Sequence, residues 1–103
     1  MIITQCDDHA ARRARVDSLG ARIAHEFNAD GFRNMQLHPR DTGGTLLEIN
    51  WTHGGWLDGP YHPAGPNWHG RAPEARGTAI VAAEIQADNP AALATRWGII
   101  LDR

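Results

Sequence analysis

An α+β fold is what this 103-residue sequence predicts, and three features predict it. A β-branched opening run, Met1 to Cys6, passes through Asp7-Asp8 into an Ala- and Arg-rich stretch that stops at Gly20. Three short runs of strand character come next, each set off by turn-forming residues. Near the end the opening plan returns as an apolar run, a capping signal and an Ala-rich helix. A chain this short holds one domain at most, near the lower size at which a core is self-sufficient.

Each element has its own local reason. Met1 to Cys6 reads as a strand, and Asp7-Asp8 as a helix cap, since a short carboxylate accepts from the N–H groups a first turn leaves free. The helix should run from about His9 to Leu19, with Gly20 at the left-handed position that ends it. Its apolar residues are scattered, Ala10 and Ala14 on one side and Val16 and Leu19 on another, so tertiary packing must complete it. Ala21 to Phe27 is the next strand, with Ile23 alternating against charged neighbours, and Asn28-Ala29-Asp30-Gly31 the turn after it. Phe32 to His38 is the third strand. Pro39 to Gly44 is a tight connection whose paired glycines supply positive φ. Thr45 to Trp51 is the fourth.

Residues 1–51 therefore form a strand-helix-strand-strand-strand unit. Residues 52–77 are rich in Gly, Pro, His and large aromatics and lack periodicity, the marks of a long loop. Thr78 to Ala87 reads as a further strand. Asp88-Asn89-Pro90 starts a helix in which Leu93, Trp97 and Ile100 share a face. The pair of segments "MIITQCDDHAARRARVDSLG" and "IVAAEIQADNPAALATRWGIIL" is an internal echo, so 78–103 reads as the opening strand and helix of a second unit.

Composition narrows the function. A net charge of −2 argues against a nucleic-acid footprint, which needs a basic stripe. All ten cations are arginine, and the Arg12-Arg13-Arg15 cluster either holds an anion or forms a solvated helix face. The single cysteine, Cys6, excludes an intrachain disulfide and suits a reducing compartment. It precedes two aspartates, which oppose thiolate formation. No apolar run approaches the ~20 residues of a membrane span, and no secretory leader pattern is present, so a cytoplasmic location is expected. No G-x-S-x-G or G-x-G-x-x-G occurs, and Ser18 sits in a helix.

Strand alternation then locates a site. Leu47, Ile49 and Trp51 fall on one face of the fourth strand, and Leu46, Glu48 and Asn50 on the other. On the third strand Met35 and Leu37 oppose Asn34, Gln36 and His38. With helices over the apolar side, Asn34, Gln36, His38, Glu48 and Asn50 gather on the opposite face. There they are either solvated or line a cup, with Gln5 of the first strand beside them.

The stretch "LHPRDTGGTLLEI" resembles the closing segment of methylmalonyl-CoA epimerase, where an HPK/R-D-x-G-G turn leads into a strand bearing a metal-binding Glu. "CDDHAARRARVDSLGARI" and "AAEIQADNPAALATRW" resemble the opening of the same kind of module. Together they look like an incomplete glyoxalase-like domain of the vicinal oxygen chelate superfamily, which includes glyoxalase I, extradiol dioxygenases and bleomycin-resistance proteins. The resemblance implies βαβββ modules whose sheets pair to enclose a cup, with a divalent metal held by residues of the first and last strands. By position Glu48 matches the last-strand ligand. The first-strand ligand, usually His or Gln, falls at Met1, its counterpart in a second module falls near Ala82, and that module's last strand is absent. One carboxylate with a thioether and a methyl does not hold a cation. His38, His25 and Gln5 are the remaining substitutes. His53, His62 and His69 form no recognised ligand pattern.

Three functional readings compete. The first is a small-molecule-binding cup lined by Gln5, Asn34, Gln36, His38, Glu48 and Asn50, without a complete metal site or cofactor. Trp51, Trp56, Tyr61 and Trp68 would serve as its aromatic lid or fill the inter-module core. The second is a metal-dependent lyase, isomerase or epimerase of the lactoylglutathione lyase or methylmalonyl-CoA epimerase type, with Glu48 as metal ligand and, once metal-bound, a candidate proton shuttle. The third is a structural dimerisation piece of a longer multi-module protein. An unpaired strand over 78–87 is a pairing template, so a homodimer is expected, with the C-terminal strand and helix exchanged between chains as one form of it.

Overall fold

The computed structural model describes residues 1–55, 59–66, 68 and 79–102. Its architecture is α+β: one mixed four-stranded sheet with two helices packed on one face. The strands are β1 (Ile2–Gln5), β2 (Ile23–Ala29), β3 (Phe32–Leu37) and β4 (Leu47–Thr52), and the helices α1 (His9–Ser18) and α2 (Pro90–Leu101). Spatial order is β1-β4-β3-β2. The β2, β3 and β4 strands form an antiparallel meander, and β4 then lies parallel to β1, with Ile3 opposite Glu48 and Gln5 opposite Asn50. A parallel neighbour needs a long crossover, which α1 and the meander together provide.

Both helix caps work as their residue types dictate. Asp8 accepts from the Ala11 amide at 3.0 Å and Asn89 from the Ala92 amide at 3.1 Å. Gly20 lies just past α1 with φ +61°, the left-handed turn predicted for it. At the far end of α2 the left-handed residue is Asp102, φ 62°, an unusual position for a side chain other than glycine. Its carboxylate bridges to Arg12 at 3.2 Å and Arg15 at 2.5 Å, tying α2 to α1.

Val16, Ala21, Met35, Leu37, Leu47, Ile49 and Ile100 form the buried core, flanked by Ile2, Cys6, Leu19, Ile23, Trp97 and Leu101. Ile100 of α2 thus shares the core of the first four strands. Trp97 donates through Nε1 to the Thr42 carbonyl at 3.2 Å, and Arg96 through Nε to that of Asp41 at 2.6 Å. Of the strand expected over 78–87, the described part, 79–87, forms no strand and has no sheet partner among the described residues, and Ile80 and Val81 are 95% and 93% exposed. Strand propensity alone could not supply the neighbouring backbone that a strand requires. Likewise the described residues build one sheet, not the two that would enclose a cup.

Candidate functional site

The face of the sheet turned away from the helices carries the chemistry. Strict alternation along β4 sends Leu47 and Ile49 into the core and Glu48 and Asn50 to the other side. Glu48 is nonetheless only 7% exposed, Asn34 6% and Asn50 0%. Buried polar groups need partners, and here they partner one another. Gln36 donates through Nε2 to Glu48 Oε2 at 2.6 Å. Asn50 donates through Nδ2 to Glu48 Oε1 at 2.9 Å, and its own Oδ1 accepts from Asn34 Nδ2 at 2.7 Å. The antiparallel register makes this possible by placing Gln36 opposite Glu48 and Asn34 opposite Asn50. The result is an amide-carboxyl ladder running across β3 and β4.

One end of the ladder has a roof. Residues 59–66 pass over the sheet and include a short helical turn, His62–Ala64. Asn50 donates through Nδ2 to the Tyr61 hydroxyl oxygen at 3.3 Å, and the His62 amide donates to Thr52 Oγ1 at 3.4 Å. The His62 ring stacks on Phe32 with centroids 4.7 Å apart and planes 13° from parallel. Beneath the roof, Gly55 lies so close to Gln5 that a Cβ there would strike the Gln5 amide nitrogen and come within 2.9 Å of the Thr52 carbonyl. Away from the roof the face is open and apolar in part: Ile3 and Phe27 are each 47% exposed.

Of the residues singled out from sequence, Asn34, Gln36, Glu48 and Asn50 come together. Gln5 joins their face through its register with Asn50 but is exposed. His38 does not join them. Its Nδ1 accepts from the Arg40 amide at 3.2 Å, capping the turn Pro39–Asp41, so a local backbone donor claims the ring. Tyr61 and His62 reach the site only through the path of the loop, which alternation cannot forecast. Trp51 is no lid: opposite Arg33 in the ladder of β3 and β4, it lies on the helix side. There it borders a cleft of about 600 Å³ with His9, Arg13, Glu26 and Arg33. A second cleft of about 710 Å³ lies between Arg40, Gly43 and the start of α2. Neither borders the ladder. Trp56 and His69 lie outside the described residues.

Electrostatics elsewhere is structural. The Arg12, Arg13 and Arg15 guanidinium groups are all paired, with Asp7, Asp17, Glu26 and Asp102, so the cluster does not present an empty anion seat. Burial pushes the Cys6 thiol up to about 11, with Asp7 adding to the rise and Arg12 opposing it, so the thiolate is disfavoured at neutral pH. Burial also lowers His9, whose Nε2 is enclosed without a hydrogen-bond partner among the described residues.

Among the described residues no three or more His, Cys, Asp or Glu side chains gather into a metal-holding group. The neighbours of Glu48 also argue against one, since both carboxyl oxygens already accept from amide donors that a cation would have to displace. The metal implied by the glyoxalase resemblance does not fit this residue set. No described helix is long and apolar enough to cross a membrane. Comparison with protein-family models, curated proteins and solved structures found no match. The class defined by the structure is therefore the α+β fold with a hydrogen-bonded polar ladder on its open face.

Proposed function

We propose that this chain is a glyoxalase-like, small-molecule-binding domain that takes its ligand on the sheet face carrying Glu48, without a complete metal site. One observation carries the reading: a carboxyl group buried to 7% exposure on the face away from the core, held by Gln36 and by Asn50, which also donates to the Tyr61 hydroxyl. A polar ladder contributes nothing to a hydrophobic core, and its members oriented by one another form a pre-organised surface for hydrogen bonding. The βαβββ order of the first 52 residues and the last-strand position of Glu48 agree with the family resemblance.

The ligand this face suits is flat, with neutral or positive charge. A carboxyl group at the centre disfavours anions, while Phe27, 47% exposed on the same face, offers an aromatic ring 6.2 Å from that of the buried Phe32. The test is a thermal-shift and fluorescence screen of planar heteroaromatic amines on wild type, Glu48→Gln and Tyr61→Phe. A ligand that stabilises wild type should lose about tenfold in affinity on Glu48→Gln, or about 1.4 kcal/mol. Equal affinity for both proteins would move the ligand off this face. Soaking with Zn, Ni, Mn or Fe and then elemental analysis should show metal below roughly 0.2 per chain, and stoichiometric uptake lost in Glu48→Gln would favour the metal-dependent lyase reading instead.

A further inference from the structure

We propose that residues 79–87 are a β-strand donor, and that they add to the free edge of β1 in a second copy of this chain, reciprocally, to form a two-fold dimer. The segment is anomalous as it stands. Ile80 and Val81 are an adjacent pair of β-branched side chains almost wholly exposed, at 95% and 93%, although Ile and Val are among the residue types most often buried. In an extended strand Ala79, Val81, Ala83, Ile85 and Ala87 would form one uniformly apolar face, and Ile80, Ala82, Glu84 and Gln86 a mixed one. That is the division β1 makes, with Ile2 and Cys6 against the core and Ile3 and Gln5 on the open face.

The likeness extends to the helix downstream of each segment. β1 leads to Asp8, which caps α1, and 79–87 lead to Asn89, which caps α2. Both helices then enter the same core. The segment thus has the flanking structure of a strand and, among the described residues, no sheet to join.

The two edges of the sheet are not equivalent acceptors. β2 is blunted in the ways that discourage strand addition: its register shifts between Ile23 and His25, and His25, Glu26 and Asn28 are all exposed. β1 has no bulge in its register and no charged residue, and it exposes Ile3 by 47%, with Met1 just before it 67% exposed. Among the described residues, an unpaired row of backbone donors and acceptors there matches an unpaired row in 79–87. A second copy satisfies both chains at once: each gives a segment and receives one, so the assembly closes with neither left over. The proposal does not depend on whether any ligand occupies the Glu48 face.

Sedimentation equilibrium of the 103-residue chain should give twice the 11.3 kDa chain mass. Val81→Pro, which removes a ladder N–H, should shift the protein to monomer while leaving its helical circular dichroism intact. In mixtures, both on a Cys6→Ala background, of an Ile3→Cys chain with a mass-tagged Ile80→Cys or Ala82→Cys chain, oxidation should yield a cross-linked pair containing one of each. A monomer at 100 µM protein, a bond formed only within single chains carrying both substitutions, or a dimer unaffected by Val81→Pro and without the mixed cross-link would each overturn the proposal.

Discussion

At the scale of single residues, Glu48 decides most. Its carboxyl group is buried without an ion-pair partner among the described residues and is held instead by two side-chain amides. Removing it strands the donors of Gln36 and Asn50, and a buried donor left without an acceptor costs about 1–3 kcal/mol. Glu48→Ala should therefore lower the stability measured by urea denaturation by about 2–4 kcal/mol, less whatever water recovers. A loss under ~0.5 kcal/mol would mean the ladder contributes nothing to the folded state. Alternation along β4 predicted the face that Glu48 takes. It could not predict that Tyr61 meets the Asn50 end of the ladder, because that contact depends on the course of a loop.

At the scale of elements, the turn between β3 and β4 is where α2 meets the sheet. Gly43 has φ +74°, and a Cβ there would lie 2.7 Å from both Leu93 methyl carbons. Any other residue carries a left-handed backbone penalty and also pushes against α2. Gly43→Ala should cost about 1–3 kcal/mol in urea denaturation, and an added Leu93→Ala should recover part of that by making room. If the double variant is no better than the sum of the singles, the close approach is not what makes the glycine necessary. The paired glycines were recognisable as a turn from sequence. Their closeness to Leu93, 50 positions along the chain, was not.

Over the whole molecule, exposed ion pairs link distant segments. Arg22 at the entry to β2 donates through Nε and Nη2 to Asp41 at 2.8 and 2.9 Å, and its backbone amide adds a third bond. Those bonds hold the Asp41 carboxyl well below the usual carboxylate range, and Arg15 and Arg12 lower Asp102 in the same sense. A carboxyl depressed on folding stabilises the native state above its unfolded pKa, near ~3.9, and loses that contribution as pH falls toward the folded value. Urea midpoints should thus drop as pH goes from about 5 to 2, and the combined Asp41→Asn, Asp102→Asn variant should show a shallower fall. Equal slopes in both proteins would mean that other carboxyl groups govern acid unfolding.

What the sequence determined by itself was local: the first four strands and two helices, both N-caps, the Gly20 stop and the sidedness of β3 and β4. These depend on residue type and spacing along a few neighbouring positions, which a sequence displays directly. The tertiary structure alone decided that α2 shares the first core, that His38 turns to cap its own loop, and that Tyr61 meets the Asn50 end of the ladder while His62 stacks on Phe32. It also decided that 79–87 stand without a sheet. Each of those outcomes depends on contacts between segments remote in the chain, where the choice of partner is set by three-dimensional packing and not by the propensity of either segment.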